Sequence, residues 1–219
     1  DRWSAVRLSL LVAFGAVVLG LVPAAVSGLD VPALIDRART MAARCGPSET
    51  PNRNPGVKLG LVLGAAADLG RDKITLVLSP AIRALGGWLE QLLAESTGQA
   101  GHGLIPIVDE EVGSTSVYGD DRFFVYLRLE TEPSSVQDAA VFKLSESGQP
   151  VVRISLSDRL AIAAEFFRWE IATAVCGAVI GVNPFDQPGV ELYRKNMFSK
   201  QLNEKLDKYH LLNHPFYKS

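Results

Sequence analysis

The segment Ile74–Gly98, ITLVLSPAIRALGGWLEQLLAESTG, decides the fold. Ile74–Ser79 is a short, largely β-branched and apolar run bounded by the polar GRDK before it and Pro80 after it, the pattern of a strand buried on both faces. Beyond Pro80, apolar residues return at Ile82, Leu85, Trp88 or Leu89, and Leu92 or Leu93, which is the period of an amphipathic helix. A strand that feeds a helix is half of a parallel crossover unit, and the rest of the chain repeats the theme. Short strands are predicted in GLIPIVD (103–109), RFFVYLRLE (122–130) and PVVRISLS (150–157), and a helix in RLAIAAEFFRWEIATAVCGAVIG (159–181). Alternating strands and helices imply an α/β fold with parallel pairing in a layered sandwich.

Upstream, Val31, Leu34, Ile35, Ala38 and Met41 mark a helix over Val31–Arg44. The Gly-, Pro-, Ser- and Asn-rich stretch 45–56 reads as a loop, and 57–69 as a helix despite two glycines. Segments 113–119 and 131–139 read as connecting loops, and Gly86-Gly87 as a close-packing point within a helix. The uncharged run Leu8–Val26 approaches the roughly 20 residues of a spanning helix. Its thin basic flank, its internal Pro23 and the amphipathic sequence that follows favour a buried core helix over an anchor or signal sequence.

A formal net charge of −2 with scattered Lys and Arg gives no footprint for nucleic acid. The two cysteines, Cys45 and Cys176, form neither a disulfide framework nor a metal-ligand spacing, and favour a reducing compartment; Cys176 reads as a buried thiol in an apolar helix. His210 and His214 have one nearby carboxylate, Asp207, which makes a weak metal motif. There is no GxGxxG after a strand and no GxxxxGK[ST], so the usual cradles for dinucleotides and nucleoside triphosphates are absent. In open α/β sheets ligands bind beyond the carboxyl ends of the strands, so the chemistry is expected there.

One pair of side chains stands out. Gln91 and Glu95 are four apart and share a helix face. The helix is expected to end at Gly98 in a left-handed cap, where the negative end of the helix dipole disfavours an ionised carboxylate. A dry site would raise the pKa of Glu95 toward general-base work; a wet one would leave it a rim acid.

WLEQLLAESTG, GHGLIPI and AAEFFRWEIATAVCGAVIGVNPFDQPGVE, in this order and spacing, resemble the C-terminal half of glucose-6-phosphate isomerases, and most of all the isomerase part of transaldolase–isomerase fusions. ELYRKNMF is closer to stand-alone bacterial members, and the likeness extends over roughly 1–198. The resemblance implies a three-layer αβα sandwich with a mainly parallel sheet, the Rossmann-like sugar-isomerase (SIS) domain, over 71–198, preceded by a helical segment 1–70 and followed by an unplaced tail 199–219. It implies that Glu95 moves a proton between C1 and C2 of an open-chain sugar phosphate. Gln91, Thr97, Gly98 and Gln187 fall on substrate-binding positions, and Arg2 on the cation beside the enediolate. No metal or organic cofactor is implied. A cytoplasmic, non-membrane enzyme is expected, with the homodimer of the family as an assembly open to it.

The departures are as informative. The ring-opening Lys of the family aligns with Arg194, which stays protonated, and Lys195 stands one place further on. Gln99 and His102 replace usual lysines, and His102 reads as a surface residue. The stretch RLSLLVAFGAVVL (7–19) is longer than its family counterpart. The N-terminal SIS half, with its Ser/Thr-rich phosphate loop, is missing, so the isolated chain is expected to be inactive. The competing reading is a non-catalytic sugar-phosphate-binding module; a membrane anchor is a third.

Overall fold

A computed structural model describes residues 20–98 and 103–185. Four strands form one sheet: β1 (Lys73–Leu78), β2 (Ile105–Ile107), β3 (Arg122–Leu129) and β4 (Val151–Leu156). All pairings are parallel and the order is β2-β1-β3-β4, with Lys73 opposite both Ile105 and Arg122, and Phe124 opposite Val151. Helices whose full bounds are described accompany them: α1 (Val31–Arg44), α2 (Pro55–Asp68), α3 (Leu85–Thr97), α4 (Ser135–Glu146) and α5 (Ile162–Ile180). The expected α/β class and parallel sheet are observed, with helices on both faces.

Side-chain alternation sorts the two faces. Ile74, Leu76 and Leu78 of β1 and Phe123, Val125, Leu127 and Leu129 of β3 join Leu59 and Leu63 of α2, Leu89 and Leu93 of α3, and Trp169 of α5 in the main core. The intervening Val77, Phe124 and Tyr126 turn to the other face, against Val141 and Leu144 of α4. Among the described residues α4 is the sole helix on that side, because the β2-to-β3 connection holds only a single 3-10 turn, Thr115–Val117.

Several local readings need correction. The predicted loop 45–56 yields to helix two residues early: Asn54 accepts a hydrogen bond from the Val57 amide at 3.0 Å, and Pro55 occupies the first turn, where its missing N–H costs nothing. The loop read over 131–139 ends at Ser134, whose hydroxyl accepts from the Gln137 amide at 3.3 Å and starts α4. Residues 103–109 supply only a three-residue strand, and 159–161 form a 3-10 turn before α5. Of the apolar run Leu8–Val26, residues 20–26 are described; they are helical but lie at the surface, with Val22 63% and Val26 84% exposed, so this part is no core helix. Residues 1–19 lie outside the described residues. Among the described residues no helix is long and apolar enough to cross a membrane.

The glycines also change places. A Cβ on Gly87 would meet nothing within 4 Å, and one on Gly86 only ordinary contacts, so this pair is not a tight crossing. The tight crossing is between α2 and α5: a Cβ on Gly60 would lie 2.4 Å from the Ala172 carbonyl oxygen, and one on Gly64 2.6 Å from Val179 Cβ. Glycine at these positions carries the usual helix penalty of about 1 kcal/mol but lets the two helices bury Leu59, Leu63 and Cys176 between them and the sheet.

Candidate functional site

α3 runs back along the sheet from the end of β1, so its last turn arrives where the strands begin. The Ile105 amide donates to the Asp72 carbonyl at 2.8 Å and the Leu104 amide to Thr97 Oγ1 at 2.9 Å, which fixes the end of α3 at this edge. Gln91 and Glu95 share the solvent face of that last stretch, and Gln91 Nε2 donates to Glu95 Oε1 at 3.1 Å. Glu95 is exposed, so the described residues of this chain do not enclose it in a dry setting. Gly98 caps the helix at φ −73°, ψ 71°, outside the expected left-handed region, with its amide on the Ala94 carbonyl at 3.0 Å.

Thr97 is fully buried, and its hydroxyl both donates to the Leu93 carbonyl at 2.7 Å and accepts from Leu104. Gly98 is exposed beside it. Of the residues carried over from the resemblance, Gln91, Glu95, Thr97 and Gly98 are thus gathered on one stretch of α3. Arg2, Gln187, Arg194 and Lys195 lie outside the described residues, as do Gln99, His102, His210 and His214.

A cavity of about 280 Å³ opens at the same edge, between Asp68, Asp72, Gly98, Leu104 and Ile180. The carboxyl-terminal ends of α2, α3 and α5 all reach it, each contributing roughly half a negative charge from its helix dipole, and two carboxylates add to them. Such an environment disfavours a phosphate. An anion that reached Glu95 would have to be held by groups from elsewhere.

At the opposite edge, where ligands were expected, a cavity of about 440 Å³ opens between Leu78, Arg83, Asp109, Glu110 and Gln137, beside a network of the protein's own groups. The strand order reverses between β1 and β3, which makes their carboxyl ends the switch point. There Ser79 Oγ accepts from the Leu129 amide at 2.9 Å, and Gln137 Nε2 donates to the Leu78 carbonyl at 2.8 Å. Tyr126 donates to Asp138 at 2.9 Å, and Arg128 donates to both oxygens of the same carboxylate, at 2.8 and 3.1 Å. These Arg128 hydrogen bonds, helped by Tyr126, hold the Asp138 carboxyl below its ordinary value, while burial and the contact with Asp138 push the Tyr126 phenol up to about 12. Asp138 sits in the first turn of α4, where a ligand anion would otherwise find helix-end amides. The protein thus supplies its own anion at the switch point, at the helix start where a ligand anion would otherwise bind. Sequence reading missed this network because it joins residues from β1, β3 and α4 with no local motif.

A second buried group was also missed. Glu165, at 2% exposed, is paired with Arg168 at 3.2 Å along α5, and burial raises its pKa against the attraction of Arg168. Its position three residues before Arg168 in a mostly apolar helix was the available signal. Among the described residues no three His, Cys, Asp or Glu side chains are grouped as metal ligands.

No family profile matches the chain. It is 32% identical, over 83% of its length, to the glucose-6-phosphate isomerase of Rubrobacter xylanophilus, and 24% identical, over the same share, to that of Enterococcus faecalis. The chain spans about half the length of these curated relatives, 50% and 49%. Among solved structures, a hypothetical protein of Thermus thermophilus superposes with a TM-score of 0.69 at 22% identity, covering 84% of this chain and 53% of that one. A glucose-6-phosphate isomerase from Chlamydia trachomatis gives a TM-score of 0.59 at 15% identity over 87% and 45%. At these identities the structural matches establish the α/β fold.

Proposed function

We propose that this chain is the base-carrying, carboxyl-terminal SIS portion of a glucose-6-phosphate isomerase, interconverting glucose 6-phosphate and fructose 6-phosphate in cytoplasmic glycolysis and gluconeogenesis. The observation that carries the reading is the 32% identity over 83% of the chain to an isomerase of that name. The Gln91–Glu95 pair on one exposed helix face supports it, since a base must be reachable by substrate.

In this reading the Glu95 carboxylate takes the proton from C2 of the open-chain aldose, the cis-enediol forms, and the same carboxylate returns the proton to C1. Gln91 and Gln187 bind sugar hydroxyls or phosphate, with Thr97 and Gly98 shaping the turn around them. Arg2 balances the charge that develops on the enediolate oxygen. Arg194 or Lys195 serves ring opening. The chemistry requires neither metal nor organic cofactor. The electronegative edge at the end of α3 supports assigning most of the phosphate-binding residues, beyond Gln187, to the half of the relatives that this chain does not span. A transaldolase fused upstream and a homodimeric assembly complete the proposal.

A coupled assay of fructose 6-phosphate conversion tests it, with the N-terminal half of the Rubrobacter xylanophilus enzyme supplied in trans. Activity is expected with both halves and absent from this chain alone, and Glu95→Gln is expected to lower kcat by about 10²- to 10⁴-fold. Full activity in Glu95→Gln would refute the assignment of the base. The second reading, a non-catalytic sugar-phosphate module, is favoured by Arg194 in place of the usual Lys. Calorimetric binding of fructose 6-phosphate without turnover would support it.

A further inference from the structure

Glu95 is held by a turn whose geometry depends on one buried hydroxyl. Thr97 is 0% exposed, and its Oγ1 spends its proton on the Leu93 carbonyl and a lone pair on the Leu104 amide. Leu104 leads directly into β2, whose first residue, Ile105, donates to the Asp72 carbonyl and pairs with Lys73 of β1. The chain from Glu95 through Thr97 and Leu104 to the sheet is therefore continuous. Gly103 makes the close return possible. It adopts φ +145°, and a Cβ there would lie 2.6 Å from the Thr97 carbonyl oxygen and 2.8 Å from Gly98 Cα. No other residue type enters this backbone region without strain.

Building on the reading of Glu95 as the base, we propose that Thr97 is its positioning residue: it locks the last turn of α3 to the start of β2 and so fixes the direction in which Glu95 projects. This differs from a substrate contact, since a hydroxyl that is buried and bonded in both senses has nothing to offer a sugar. Misplacing a catalytic group by about 1 Å costs on the order of 10²-fold in rate, so the effect belongs to kcat.

The test compares Thr97→Val, which keeps the shape and removes the hydroxyl, with Thr97→Ser, which restores it. Each is paired with the same N-terminal half and also followed by backbone amide exchange on the chain itself. Thr97→Val is expected to lower kcat by about 10- to 100-fold with KM within about twofold. It is also expected to speed exchange at Leu104 and Glu95–Gly98 by about tenfold, as loss of one buried hydrogen bond implies, while amides near Leu89 are unchanged. Thr97→Ser is expected to recover both. A rise in KM at constant kcat would make Thr97 a substrate contact and overturn the proposal. So would faster exchange with unchanged kcat, which makes the role structural only, or exchange at Glu95–Gly98 that does not move. If Thr97→Val does not fold, Thr97→Ala is read by the same criteria. If the wild-type pair does not turn over, the isomerase reading fails, and the exchange arm alone decides whether Thr97 fixes the turn that carries Glu95.

Discussion

Replacing Gly60 by Ala should destabilise the protein, whereas the same replacement at Gly87 should stabilise it. Both glycines lie within helices, so alanine gains about 1 kcal/mol of helix propensity at either site. At Gly87 the side is open and exposed, and the gain stands. At Gly60 the new methyl would lie 2.4 Å from the Ala172 carbonyl oxygen and 2.7 Å from Val175 Cβ, neither of which can swing aside as a flexible side-chain end would. The helices must part, and overpacking of this kind costs about 1–3 kcal/mol, with the backbone contact placing it at the upper end. The net loss is about 2 kcal/mol, or roughly 4–8 °C in Tm for a domain of this size. Urea unfolding of the two variants beside the wild type gives both values. A neutral or stabilising Gly60→Ala would mean that α2 and α5 do not cross at this distance, and the account of why glycine stands there would be wrong.

Two further outcomes follow from buried ionisable groups. Glu165 has a folded pKa raised by burial, so its contribution to stability is full below the unfolded carboxyl value and declines as pH rises through the folded one. Urea unfolding at pH 4.5 and 7.5 should show that decline in the wild type and a smaller one in Glu165→Gln; equal declines would contradict it. Cys176 is fully buried with its pKa pushed up to about 12, whereas Cys45 is only partly covered. A thiol-titrating disulfide reagent at pH 8 should therefore modify one thiol in the native protein and both after denaturation; rapid modification of both in the native state would refute the burial.

The βα unit at Ile74–Gly98 was legible because each part obeys a local rule: a β-branched run, a proline, then a helical period. The start of α4 was not, since the cap Ser134 is embedded in the polar string TEPSSVQD and the helix face it opens is only weakly apolar. The two glycines of α2 read as weaknesses in one helix, and their purpose appears only when α5, far along the chain, is set against them. The candidate site divides the same way. Spacing puts Gln91 and Glu95 on one face, and the structure agrees. That α3 ends at the starts of the strands is a matter of chain direction rather than residue type. The same holds for the switch point, whose anion is an aspartate from another element.

The crossing of α2 on α5 also has a cost in time. The contact from Gly60 to Ala172 closes a loop that includes every strand of the sheet, worth about 4 kcal/mol of closure entropy before any packing is returned. On a ribosome adding about 5–20 residues per second, the leucine face of α2 leaves the exit on the order of 10 seconds before α5 is complete. During that interval Leu59 and Leu63 lack the helix that closes over them, and they offer a surface to a chaperone or another nascent copy.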